Sequence, residues 1–464
     1  METLLHVNYI DIIKIFITGV VRLKVTDVSL MADSFFIFLS AVLVIFMQAG
    51  FALLEAGSTR MKNAGHIAAK QLLSFSIVAI VFWAVGYGLT FGDGKWLGTT
   101  NFFLSIPAEA GSVPIEISFL FQFSFAAVSL AIAWGGFAER AKLSVYILFG
   151  ALFTIFIYPV IGHWVWGSEG WLHELGKQDF AGSTVVHLTG GVAALIATLM
   201  LRPRKGKYNE DGTVNTIPGH NQVYSVLGAL IIWLGWFGFN PGSTLTLKDG
   251  FFGYVALTTN LGATASVLGA MFMAYLRKQK LEVSIMVNGL LAGLVAITAS
   301  CAFVEPWAAI IIGFIAGAIT VISASFLEKR GIDDPIYAFS VHGVAGIWGT
   351  ISTGIFAAPR LVEKVGVGSA GLLYGGGFHQ LGVQTLGVSI TILYVALASF
   401  VLLSIIKSIV GFRVSEEHEQ IGLDISEHGS YAYPEHPNHL KEAKIKEAEI
   451  NKSPLSEEAI YAKA

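Results

Sequence analysis

Eleven apolar stretches follow one another along the chain with short gaps between them, and this succession leaves few folds open. A membrane-crossing helix needs about 20 mostly apolar residues. Segments 35–55, 67–91, 115–137, 143–162, 182–201, 222–240, 251–276, 283–302, 307–326, 338–358 and 383–410 each meet or approach that length. Charged residues make up only 13% of the 464, about half the share in soluble domains. The expected fold is therefore an all-α polytopic membrane protein with eleven transmembrane helices. Glycine is abundant, at 51 residues, which suits close helix packing in lipid. The formal net charge of -3 does not suggest a nucleic-acid binder, and the lone Cys301 cannot form an intramolecular disulfide.

Basic residues set the expected orientation. Loops after odd-numbered spans carry Arg60, Lys62, Arg140, Lys142, Arg202, Arg204, Lys205, Lys207, Arg277, Lys278, Lys280, Lys329 and Arg330, with Lys70 close by. Loops after even-numbered spans carry Lys95, Lys177, Lys248, Arg360 and Lys364. Odd loops are then cytoplasmic, with the N-terminus outside and the C-terminus inside a cell (inner) membrane. Residues 1–33 form an N-terminal segment that fits a signal sequence, an interfacial helix or an extended start; 12–21 is too short to span. Residues 34–410 make the membrane domain, and 411–464 a polar cytoplasmic tail.

Two segments resemble each other. Asp179-Phe-Ala-Gly-Ser-Thr-Val-Val-His187 leads into span 5, and Asp334-Pro-Ile-Tyr-Ala-Phe-Ser-Val-His342 leads into span 10. Each copy, about 34–201 and 222–358, holds five spans, so the second is inserted upside down. An inverted 5+5 repeat plus one C-terminal helix (383–410) is expected, with the functional site at the repeat interface.

Ionisable groups within spans are costly and mark interiors or cavities. His187 and His342 occupy equivalent places and are expected to meet in a pore, sharing a hydrogen bond. A metal would need a third ligand; none lies at a repeat-consistent position, so no metal is expected. Asp334 reads as a structural N-cap followed by Pro335 at the first helical position. Asp179 reads as a cap or as negative potential in an outer vestibule. Trp166, in His163-Trp-Val-Trp166, is an interfacial anchor or a face for a small cation. Glu55 and Glu139 fall near span ends, where snorkelling or capping would explain them, and Asn63 and Gln122 read as bonds between helices. Gly366-Val-Gly-Ser-Ala-Gly371 matches a dinucleotide fingerprint without the strand it requires, and Asn221-Gln-Val is not a glycosylation acceptor.

These motifs resemble the ammonium transporter family (Amt/Mep, related to the Rh proteins). Further matches in order are Gly50-Phe-Ala-Leu-Leu-Glu-Ala-Gly57, Ala138-Glu-Arg140, Gly235-Trp-Phe-Gly-Phe-Asn-Pro-Gly-Ser243, Val341-His-Gly-Val-Ala-Gly346 and the tail from Gly411 to Tyr433. The resemblance implies a homotrimer with one pore per subunit and ammonium or ammonia as substrate, methylammonium being an analogue. It implies Trp166 and Ser243 at an outer ammonium site with Phe125 and Asp179, and Phe125 stacked with Phe239 as a gate. His187 and His342 would line the pore. It implies no cofactor, and docking of a PII-type signalling protein on the cytoplasmic face. Ser430 stands where the family commonly has Glu after His-Gly.

Three classes compete. A transporter or channel is the leading expectation. An ammonium sensor signalling through its C-terminal face is second; no kinase or cyclase sequence follows span 11. A membrane enzyme is third, lacking a nucleophile–base set.

Overall fold

The computed structural model describes residues 9–106 and 111–436, with side chains from residue 28 onward. Among the described residues ten helices are long and apolar enough to cross a membrane. They are α1 (Val28–Ser58), α2 (Met61–Phe91), α3 (Ile115–Gly135), α4 (Leu143–Glu174), α5 (Ser183–Leu201), α6 (Gln222–Thr244), α7 (Lys248–Leu276), α8 (Val283–Ser300), α9 (Pro306–Lys329) and α11 (His379–Val410). Between α9 and α11, α10 (Phe339–Phe356) turns by 110° into Pro359–Val365, completing eleven. The helix of α1 is continuous from Tyr9, so no break separates residues 9–33 from the first span. Among the described residues the only β-pairing is two isolated bridges.

Glycines let these helices touch where lipid gives no hydrophobic drive to association. A Cβ on Gly50 of α1 would lie 2.9 Å from the Gly228 carbonyl of α6. α4 breaks at Ile157, whose φ/ψ of −110°/−65° departs from the helical values, and Pro159 follows.

The face bearing the odd loops is closed by charge pairs. Glu139 is fully buried and binds Arg60 (2.8 Å) and Arg204 (2.9 Å); Arg204 also binds Asp333 (2.8 Å). Glu139 therefore does not snorkel as its position suggested. Burial works against its ionisation, but Arg204 and Arg60 outweigh that and hold its carboxyl down to about 2. Asn63 bonds the tail rather than a neighbouring span, its Oδ1 accepting from Leu423 N at 2.9 Å.

The tail folds across this same face as α12 (Glu416–Ile421) and α13 (Leu423–His428). Val414 N donates to Arg140 O at 3.0 Å. Buried Glu419 accepts from Arg413 Nη2 at 2.6 Å and from Lys205 N at 2.7 Å. Asp424 accepts from Gly65 N (3.1 Å) and His66 N (2.7 Å), satisfying orphan amides at the start of α2. His66 meets His428 at 3.0 Å. The expected tail beyond residue 436 lies outside the described residues.

Glu139 gives this face a definite acid response. Its depressed folded pKa contributes stability that is present above the unfolded value of 4.5 and lost as pH falls through about 2. Thermal unfolding in detergent should show a steep loss of stability across that window. Glu139→Gln should cost about 3 to 5 kcal/mol at neutral pH, as for one half of a buried ion pair, and should flatten the acid slope.

Candidate functional site

α5 and α10 enter the bundle from opposite faces, and each begins with a widened π turn, Ser183–Leu188 and Phe339–Val344. The matching Asp residues build both turns. Asp179 Oδ2 accepts from Thr184 N and Val185 N, each at 3.0 Å. Asp334 Oδ2 accepts from Phe339 N at 2.8 Å. Pro335 lies in the preceding turn and not at the first helical position, so Asp334 caps from five residues upstream. Three residues after each Asp the backbone enters positive φ: Gly182 at 111° and Tyr337 at 59°. Glycine takes that conformation freely and tyrosine at a cost. The repeat thus preserves a backbone shape that composition alone conceals.

π turns leave backbone groups that water would otherwise satisfy, and inside a bilayer protein groups must do so. Ser129 Oγ does so for the α5 turn, donating to Val186 O at 2.9 Å; Ser183 Oγ bridges the backbone of α8 instead, donating to Val295 O at 2.6 Å and accepting from Ala299 N at 2.7 Å.

The two helices cross at Gly191 and Gly343. A Cβ on Gly191 would lie 2.8 Å from the Gly343 Cα. This contact brings His187 and His342 together, Nδ1 to Nδ1 at 3.2 Å, with ring centroids 5.3 Å apart. One ring must donate its Nδ1–H and the other present a lone pair. Buried His187 Nε2 has no hydrogen-bond partner among the described residues.

An aromatic line continues from this pair toward the face opposite the basic loops. His187 stacks on Phe239 (5.6 Å), Phe239 on Phe125 (4.1 Å), and Phe125 meets the Trp166 ring edge-on at 6.0 Å. Phe125 and Phe239 are buried; Trp166 and Ser243 are half-buried. Trp166 Nε1 donates to Asp179 O at 2.8 Å. Ser243 Oγ donates to Phe239 O at 2.8 Å, leaving its lone pairs free to accept. Beside this end lies an open hollow of about 350 Å³ lined by Ile37, Ser118, Phe121, Gln122 and Leu245. Gln122 therefore faces a cavity, not a helix–helix bond.

The Asp179 carboxylate is turned toward helix amides, and its backbone carbonyl holds Trp166. Lys177, counted with the loop charges, is buried, its Nζ donating to Thr184 Oγ1 at 2.9 Å. Burial lowers its pKa, against the opposing charge of Asp179. Among the described residues no group of three or more His, Cys, Asp or Glu could hold a metal.

Trp236 was not singled out from the sequence. Its ring stacks on His187 at 5.1 Å and 12°, and its Nε1 donates to Thr298 Oγ1 at 2.9 Å. Its spacing of three from Phe239 was the available signal, since i and i+3 share a helical face. Glu55 and Lys70 were also misjudged: both are buried and form an ion pair with each other.

The profile of the Ammonium Transporter Family matches residues 35–433. An ammonium transporter of Archaeoglobus fulgidus is 44% identical over 408 residues, covering 84% of this chain and 86% of that protein. One from Bacillus subtilis is 38% identical over 411 residues, covering 87% and 98%. Among solved structures, a protein described as a sensor Amt protein superposes with a TM-score of 0.81 at 36% identity, over 86% of this chain and 99% of that one. Candida albicans Mep2 superposes at 0.78 with 31% identity, over 87% and 90%.

The Gly191–Gly343 crossing positions the histidines. Gly191→Ala should force α5 and α10 apart, costing about 1 to 3 kcal/mol as overpacking does, and should lengthen the imidazole contact. Gly253→Ala, on α7 with open space around its Cα and helical backbone, is the control for glycine loss alone. A structure of Gly191→Ala checks the distance directly.

Proposed function

We propose, from the premise that this chain belongs to the ammonium transporter family, that it moves ammonium across a cell membrane by recruiting the cation and passing ammonia along the Trp166–Phe125–Phe239–His187–His342 line. Family members are transporters or channels and not enzymes. The observation that carries the reading is the continuity of that line, from a half-buried Trp face to a buried imidazole pair.

Recruitment uses Trp166 and Ser243. The indole N–H is occupied by Asp179 O, so the ring face remains for a cation. The Ser243 hydrogen is occupied by Phe239 O, so its oxygen accepts an N–H that potassium lacks. Beyond this point the path is apolar. Carrying an intact cation into a medium of low polarity costs tens of kcal/mol by Born solvation, so ammonium loses a proton near Phe125 and Phe239. Ammonia then hydrogen-bonds the imidazoles, which can donate at one nitrogen and accept at another. The proton either travels through the pair or returns outward; charge-resolved transport in a defined bilayer distinguishes the two.

The bias of basic residues supports a cytoplasmic location for the odd loops and the docked tail. The homotrimer, and a PII-type partner on that face, are part of the same proposal. A sensor role is the second reading, favoured by the likeness to the sensor Amt protein. Uptake of ammonium or methylammonium in cells lacking other transporters separates them: a sensor alone gives none.

Trp166→Ala and Ser243→Ala should each weaken recruitment by about 1 kcal/mol, non-additively because both touch one ion; concentration dependence of uptake reads this. Phe125→Ala with Phe239→Ala should alter selectivity over potassium while assembly persists. Removing residues after Tyr433 should leave transport largely intact, whereas removal from Gly411 should impair it, since α12 and α13 hold the basic loops.

A further inference from the structure

Past His342, the line ends in a hollow of about 10 Å³ whose walls include Phe51, Leu54, Val341 and Glu55. That volume is about one water's worth. Glu55 is held away from solvent on α1, and the ammonium group of Lys70 on α2 is ion-paired with it. Gln71 Nε2 donates to Glu55 Oε1 at 2.8 Å. The Lys70 Nζ also lies 5.9 Å from the centre of the Tyr146 ring, within cation–π range. Gln71 Oε1 and Ser74 Oγ, one and four residues after Lys70, and the hydroxyl of Tyr146 are buried, and none has a hydrogen-bond partner among the described residues.

We infer that Glu55, Gln71 and Tyr146 form a second ammonium-type site, at the end of the line remote from Trp166, which the chain keeps filled with its own Lys70 ammonium. Three features favour this over an ion pair that serves packing alone. The carboxylate and ring provide the two interactions a small N–H cation uses. The Glu55 half of the pair borders the same hollow as His342. Spare polar atoms surround it, more than Lys70 consumes, whereas a packing pair is stable when its remaining hydrogen bonds are satisfied.

The role of Lys70 follows, and it rests on the proposed conduction of ammonia. Ammonia leaving His342 regains a proton on the far side. A bare Glu55 carboxylate there would hold the ammonium so formed and slow its escape. A tethered cation already in place removes that trap, so Lys70 speeds release without contacting the substrate.

The test counts bound ions on purified full-length protein in lipid nanodiscs, using radiolabelled methylammonium at equilibrium. Lys70→Ala should bind about one more equivalent per chain than the wild type. The extra equivalent should persist when Trp166→Ala is added and vanish when Glu55→Gln is added. Maximal uptake by Lys70→Ala should fall severalfold with a lower half-saturation concentration. Equal stoichiometry in Lys70→Ala and wild type, with the Glu55 carboxyl simply protonated by infrared difference spectra, overturns the site. Retention of the extra ion in the Glu55→Gln double variant overturns it also. If Lys70→Ala fails to assemble in choline chloride, assembly restored by ammonium chloride supports the site, and failure in both salts overturns it. Because the count needs no flux, an error in the conduction reading would show separately, as absent uptake by the wild type.

Discussion

The close crossing of α5 and α10 is the contact on which the rest depends. Gly191 lacks the side chain that would meet the backbone of α10 at Gly343. Two aspartates cap widened first turns so that each helix presents its histidine toward the other. In lipid every freed amide and carbonyl must find a protein partner; Ser129 supplies one to Val186 of the α5 turn, and Ser183 ties that turn to α8. Loosening any of these groups would leave the imidazoles without their shared hydrogen bond, and the aromatic line would lead nowhere.

Charge is sorted with the same economy. Groups that cannot reach water are paired: Glu139 with Arg60 and Arg204, Arg204 with Asp333, Glu55 with Lys70. The tail joins this network through Glu419 and Asp424, so the basic face is a single electrostatic unit in which loops and tail hold one another. Asp424 and His428 dock on the first turn of α2, and Lys70 sits about one turn further along it. The docking surface is therefore joined, through the Lys70–Glu55 pair, to the wall of the hollow at the inner end of the aromatic line.

Several residues show where sequence reasoning succeeded and failed. The two Asp–His segments were legible because expensive residue types recurred at one spacing in an otherwise apolar chain, and the structure brings their histidines to 3.2 Å. Glu55, Glu139, Lys70 and Lys177 were misjudged for one reason. Near a span end, hydropathy cannot distinguish a charge that reaches water from one that meets a partner on another helix, and here partners lie on other helices or across the fold. Asn63 failed similarly, since its partner Leu423 is 360 positions away. Trp236 was passed over because nothing local separates it from any other Trp in an apolar helix; only His187 against its face distinguishes it.

The sequence by itself determined the number of spans, the duplication and its inversion, and the family, because bilayer thickness, the rarity of intramembrane polar residues and ordered motifs are all one-dimensional signals. The tertiary structure alone decided which aromatic rings stack into a line, that Tyr337 adopts the glycine-like turn of Gly182, and that Lys70 pairs with the Glu55 that lines the hollow beside His342. Those facts depend on distances between helices far apart in the chain, set by where a missing Cβ lets backbones touch, and no local pattern records them.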